Sequence, residues 1–361
     1  MSTLHQRLVA RIAADGPMPV SAFMAACLLD PADGYYTTAN PFGAQGDFIT
    51  APEISQMFGE LIGLWALNAW QQRGQPTPFV LAEAGPGRGT LMADMLRATA
   101  AHPAFHAALQ VVLIEASPQL RQTQRAALSD YADKVQWADA IDALPPRFTI
   151  FIANEFLDAL PLRQAVKTEQ GWRERCIGLN DKGALAFVAG ATSIDTSMLP
   201  SGQEQADIGT VFEYAPAREA VAATLAGHLK THGGFGLMID YGHTKSAFGD
   251  TLQAMRQHAF ASVLENPGKA DITSHVDFDA VASAARAAGA HCFAPSTQGE
   301  FLLALGIEHR AGTLGRGKDE ATRDMLRASV QRLAGNRPQD MGDLFKVLCL
   351  ADEPTPLFPF Q

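Results

Sequence analysis

At 361 residues the chain exceeds an ordinary single domain, so a core with large insertions or an appended subdomain is expected. Hydrophobic residues at 47% against 18% charged ones fit a globular protein, and a formal net charge of -10 argues against a nucleic-acid partner held by general electrostatics. No apolar run approaches the length of a membrane span, so a soluble chain without membrane insertion is expected.

In chain order, the start MSTLHQRLVARIAADG lacks the apolar stretch of a secretory signal, which places the protein in the cytoplasm as an expectation. Residues 4–14 and 19–29 read as two helices, the second ending at Asp30-Pro31. The stretch DGYYTTANPFGAQGDFIT, residues 33–50, is rich in glycine and aromatic residues and has no usable period, the pattern of a functional loop or lid. Thr50 to Glu53 has the form of a capping box with proline in the first turn, so a helix is predicted from there to about Arg73. Ile54, Met57, Phe58, Leu61, Ile62 and Trp65 form its core-facing side. Residues 1–75 are thus expected as an N-terminal helical segment with a lid loop.

The segment FVLAEAGPGRGTLMADMLR, residues 79–97, is the one the rest is organised around. A short apolar run ends at Glu83, passes Gly85, Gly87 and Gly89, and enters an amphipathic helix pattern, the order strand, tight turn, helix. Alternate glycines let a backbone approach a ligand closely, and the following helix points unpaired N–H groups at the same place. A phosphate-gripping loop needs a lysine and a following hydroxyl, and Gly85 to Leu91 supplies no lysine. The dinucleotide pattern needs a third glycine where Thr90 stands, so a nicotinamide-dependent oxidoreductase is a poorer fit. Glu83 to Gly89 reads E-x-G-x-G-x-G, which resembles the first motif of the S-adenosylmethionine-dependent methyltransferases, whose methyl donor carries a sulfonium and an ammonium that an acid suits.

Two further strands end in acids. Residues 111–114 close on Glu115, positioned to hold a ribose diol, and Ser117-Pro118 caps the next helix. Residues 135–138 close on Asp139, expected to accept from an adenine amino group. The strand 148–153 is apolar throughout, as in a buried parallel sheet, and ends in Asn154-Glu155, which belong at the rim where ligands bind in open α/β sheets. Asn154 and Asp158 also suit plain turn and cap positions. Residues 163–214 alternate short strands around glycine-containing turns, an antiparallel β insertion. A helix 215–232 and a strand 235–239 return to the parallel core, with Asp240 and Tyr241 at the tip, followed by an irregular polar segment 242–273. The rest reads as a helix to about 288, a strand 291–293, a helix 299–305, charged helices within 309–334 and a last strand 341–350. A methyltransferase domain over 76–361 is therefore expected, with insertions at about 163–214, 242–276 and 309–340. Cys27, Cys176, Cys292 and Cys349 lie far apart in apolar contexts, which suits reduced core thiols and no metal site.

The blocks GAQGDFITAPEIS, EAGPGRGTLMADMLR, ANEFLDALP, DYGH, DITSHVDF, QGEFLLALGI and MGDLFKVL together resemble the MidA family over nearly the whole chain. That family includes the mitochondrial complex I assembly factor that methylates an arginine of a complex I core subunit. The resemblance implies an α/β Rossmann-like class I methyltransferase sheet, mostly parallel with its last strand antiparallel. It also implies S-adenosylmethionine as cofactor, a protein substrate, and symmetric dimethylation of arginine. A guanidinium is protonated and poorly nucleophilic, so a carboxylate must orient it and help remove a proton. Glu155 is the first candidate, with Asp47 and Asp240 behind it, and His243 and His275 as proton acceptors. The cofactor set is Glu83, Gly85, Gly87, Gly89, Glu115, Asp139 and Asn154. An assembly chaperone that binds the cofactor without turnover is the alternative of a different class. The sequence leaves the oligomeric state open.

Overall fold

The computed structural model describes residues 2–38, 50–257 and 259–360. The chain divides into two compact units. One is drawn from Met1–Phe48, Asp158–Glu219 and Lys245–Asp277, the other from Ile49–Leu157, Ala220–Thr244 and Phe278–Gln361. The boundaries differ from the expected ones: residues 50–75 group with the parallel sheet, whereas the two N-terminal helices group with the antiparallel insertion.

The larger unit is built on one sheet. From edge to edge its strands are His291–Cys292, Phe345–Ala351, Gly234–His243, Thr149–Asn154, Phe79–Ala84, Leu109–Ile114 and Val135–Ala138. The last five are mutually parallel, and Phe345–Ala351 runs antiparallel to Gly234–His243, as expected for the late strand. Phe79–Ala84 and Thr149–Asn154 are buried at every position, which explains why neither alternates polar and apolar residues. Strand order reverses between these two, so the crevice for a ligand opens at their carboxyl ends, where Glu83 and Asn154 stand. The helix Thr90–Thr99 that leaves the glycine turn lies tightly against Gln56–Gln72. A Cβ on Gly59 would fall 2.6 Å from the Asp94 Cβ, and one on Gly63 would fall 2.7 Å from the Met95 Cα. Those two glycines set the helix spacing.

Three expectations change here. The helix predicted from Thr50 breaks: Ala51–Ile54 is a single turn, Ser55 is extended, and a new helix Gln56–Gln72 starts with Ser55 Oγ accepting from the Met57 amide at 3.3 Å. The capping box is absent because Glu53 turns away to other partners, described below. The strand expected to end at 239 runs on to His243, since its antiparallel neighbour keeps pairing through Tyr241 opposite Phe345, so Asp240 lies inside a strand. The irregular segment after it contains a three-stranded sheet of Gln253–Arg256, Ala259–Ala261 and Asp271–Thr273.

The smaller unit holds that sheet and the antiparallel one. The second sheet has the order Met18–Pro19, Gly171–Leu179, Arg163–Thr168 and Val211–Tyr214, with Leu185–Ser193 also on Gly171–Leu179. Its turns are those expected: Gly171 has φ +97°, and the Asn180 side chain accepts from the amides of Lys182 and Ala184. Helices Leu4–Asp15 and Val20–Leu29 bury Leu4, Leu8, Phe23 and Met24 in this unit's own core with Ile177 and Ile272.

Candidate functional site

The glycine turn is left-handed at all three glycines, with φ of +64° at Gly85, +51° at Gly87 and +84° at Gly89. A side chain is disfavoured there whatever the ligand. At Gly85 a second reason applies, because a Cβ would fall 2.8 Å from the Phe156 ring. Gly89 caps Thr90–Thr99 without a side chain. The buried Glu83 carboxyl lies against the Met92 amide of the first turn. Its Oε2 is buried with no hydrogen-bond partner among the described residues. Burial outweighs the amide and pushes the carboxyl up to about 8.

Glu115 follows the neighbouring strand. One carboxylate oxygen accepts from the Ser117 amide at 2.8 Å, the other from Gln124 Nε2 at 3.2 Å, and burial raises its carboxyl. Sequence reasoning passed over Gln124, which is fully buried and also donates to the Gly87 carbonyl at 2.8 Å and accepts from Trp137 Nε1 at 2.8 Å. A glutamine three turns from any motif carries no sequence signal. Its signal is its burial within an otherwise polar helix, Pro118–Ala127.

Asn154 and Glu155 end the central strand. Glu155 has φ +50°, a conformation costly for a residue with a Cβ, and its amide donates to the Ile239 carbonyl at 2.9 Å. Oε1 accepts from the Ala51 amide at 2.8 Å and from Asn154 Nδ2 at 3.0 Å. Asn154 Oδ1 is buried with no hydrogen-bond partner among the described residues. The tetrapeptide Ala51–Ile54 therefore reaches two sides of the site: Ala51 holds Glu155, while Glu53 accepts from Thr90 Oγ1 at 2.6 Å and pairs with Arg88 at 3.5 Å.

The register brings Glu83, Glu115, Asn154 and Glu155 together at the carboxyl ends of three adjacent strands. The remaining candidates fall elsewhere. Asp139 is 88% exposed and pairs with Arg121, whose guanidinium also donates to the carbonyls of Glu115 and Ala138. Asp240 is wholly buried and accepts from the amides of Leu157 at 3.0 Å and Tyr241 at 2.9 Å, so it braces the turn that carries Glu155. His275 belongs to the smaller unit, where its amide donates to Thr251 Oγ1. His243 ends the strand that carries Asp240, and Asp47 lies outside the described residues.

The donor set suits a ligand that is cationic at one end and hydroxylated at the other. A buried carboxylate with an unpartnered oxygen beside a left-handed glycine turn suits an ammonium. The Glu115 carboxylate keeps acceptor capacity for a diol after its two protein hydrogen bonds.

Comparison with known proteins agrees. Residues 61–296 match the family described as "Putative S-adenosyl-L-methionine-dependent methyltransferase". A Caenorhabditis elegans protein named protein arginine methyltransferase NDUFAF7 homolog, mitochondrial, is 35% identical over 96% of this chain and 86% of its own length. The Homo sapiens protein arginine methyltransferase NDUFAF7, mitochondrial, is 31% identical over 97% of this chain and 83% of its own. A Burkholderia thailandensis protein crystallised with S-adenosyl-homocysteine superposes with a TM-score of 0.83 at 30% identity, covering 98% of this chain and 93% of that one.

Proposed function

Because the chain belongs to the family of S-adenosyl-L-methionine-dependent methyltransferases and takes S-adenosylmethionine as its cofactor, we propose that it methylates an arginine of a protein substrate. The observation that carries this reading is Glu155, a carboxylate held in a left-handed backbone conformation at the end of the central strand and oriented by two donors. Bound S-adenosylmethionine supplies an electrophilic methyl group. Glu155 pairs with the substrate guanidinium, fixes the nitrogen that reacts, and accepts the N–H proton lost as that nitrogen gains its methyl. Asn154 and Ala51 hold the carboxylate for this, Asp240 braces its turn, and Glu83, Glu115 and the glycine turn hold the cofactor. The nitrogen is neutralised only as the bond forms, so alignment contributes most of the acceleration.

The names of the relatives support arginine as the acceptor and a protein as the substrate. The reading extends to symmetric dimethylation of a complex I core subunit or its bacterial counterpart in support of assembly, in the cytoplasm. Among the described residues no helix is long and apolar enough to cross a membrane. Incubating the purified protein with labelled S-adenosylmethionine and extract of the source cell, then locating the label by mass spectrometry, tests each part. Label on arginine of a complex I subunit is expected. Label on another residue type overturns the arginine assignment, and a protein that binds cofactor yet labels nothing acts as an assembly chaperone.

A further inference from the structure

The helices Ile307–Leu314 and Glu320–Ala334 enclose, with Gln298–Ala304, a groove of about 710 Å³ lined by none of the site residues above. Its floor is apolar, from Ala311, Leu326, Val330 and Ala334. Its rim carries Arg316, Arg323 and Arg327 against the single acid Glu308, in a chain whose formal net charge is -10. Arg316 forms no ion pair among the described residues. Arg323 pairs with Glu320, and Arg327 with both Glu320 and Asp324, all through solvent-exposed side chains, and such pairs exchange readily for another carboxylate. Gly312 lines the groove from within a helix, and a Cβ added there would meet nothing within 4 Å. No neighbour demands glycine at that place, although glycine weakens a helix interior relative to alanine. What it does is keep the wall open.

The groove stands on elements that build the site. Glu60, buried in the helix Gln56–Gln72, accepts from Arg310 Nε at 2.7 Å and Nη2 at 3.0 Å, which anchors the first groove helix. Glu320–Ala334 packs beside Ala51–Ile54, the tetrapeptide that holds Glu155. We propose that the groove docks a segment of the protein substrate that carries an apolar anchor flanked by acidic residues. The inference rests on the reading of the protein as a protein methyltransferase. Three cations spread over two elements match a row of carboxylates along a peptide rather than one compact anionic headgroup.

The test uses the full chain, labelled S-adenosylmethionine and extract of the source cell, with Gly312→Leu to fill the groove and Arg316→Glu/Arg327→Glu to reverse its rim. Arg316→Lys/Arg327→Lys keeps the charge. S-adenosylhomocysteine affinity, measured by calorimetry, should be unchanged in all three, and the exposed arginine pair keeps the test valid if Gly312→Leu does not fold. Initial protein labelling should fall by about 10-fold or more in the filling and reversal variants, recover as extract is concentrated, and stay near wild type in the lysine pair. Wild-type labelling with undiminished labelling by the groove variants overturns the docking site alone. Wild-type protein that labels nothing overturns the enzyme reading and the docking site with it.

Discussion

Glu155 combines two features that seldom coincide without a reason, a left-handed backbone and a carboxylate already fixed by an amide on another segment. If it acts on the substrate and not on the cofactor, Glu155→Gln keeps the shape while removing the charge. S-adenosylhomocysteine affinity should stay within a few-fold, and methyl transfer should fall by roughly 10²-fold, the scale for a positioned acid–base group. Parallel loss of both would move Glu155 into the cofactor pocket. Glu83 makes a different prediction because burial raises its carboxyl from 4.5 to about 8. Below pH 4.5 the group is protonated folded and unfolded. As pH rises from there through about 8, the unfolded chain ionises first, so the stability this group contributes is lost, on the order of a few kcal/mol at most. Cofactor-free Glu83→Gln should therefore lose less thermal stability than wild type between about pH 5 and about pH 8. Identical slopes in a melting series would show that Glu83 does not carry the burden assigned to it.

At the scale of elements, the strands and their terminal acids were legible in the sequence because a parallel sheet demands apolar runs and the ligand chemistry demands polar tips. The break at Ser55 was not legible. Thr50 to Ile54 has all the local marks of a helix start, and what overrides them is tertiary: Glu53 is drawn to Arg88 within the glycine turn and to Thr90 just after it. The pairing of Asp139 with Arg121, three residues into the preceding helix, was not legible for a comparable reason. Only the fold places these partners side by side. The Glu53–Thr90 hydrogen bond ties Ala51–Ile54 to the start of Thr90–Thr99, and it should pre-order the glycine turn for ligand. Glu53→Gln and Thr90→Val should each weaken S-adenosylhomocysteine binding by about 1–2 kcal/mol, the scale of a charge-assisted hydrogen bond. The double variant should cost less than the sum. Strict additivity in calorimetry would separate the two residues.

For the molecule as a whole, the acids and the asparagine of the candidate site that lie among the described residues come from one compact unit. Glu83, Glu115, Asn154 and Glu155 belong to the unit of the parallel sheet, while the antiparallel sheet has its own buried cluster of Ala165, Trp172 and Phe212. What was not legible is that the two N-terminal helices join the insertions expected near 163–214 and 242–276, because each unit is assembled from three separate stretches of chain. Ligand binding stabilises what it binds by RT ln(1 + [L]/Kd), about 2.7 kcal/mol at a 100-fold excess over Kd. That stabilisation should be local. In hydrogen exchange with saturating S-adenosylhomocysteine, added protection is expected in peptides spanning 79–99, 109–128 and 149–157, with little change over 163–193. Within the first group the amides of the glycine turn should slow most, because Gln124 already holds the Gly87 carbonyl and a bound ligand would close the other side of the turn. Equal protection across both sheets would mean that the units unfold together, and the antiparallel sheet would then report on cofactor binding as strongly as the strands that carry the acids.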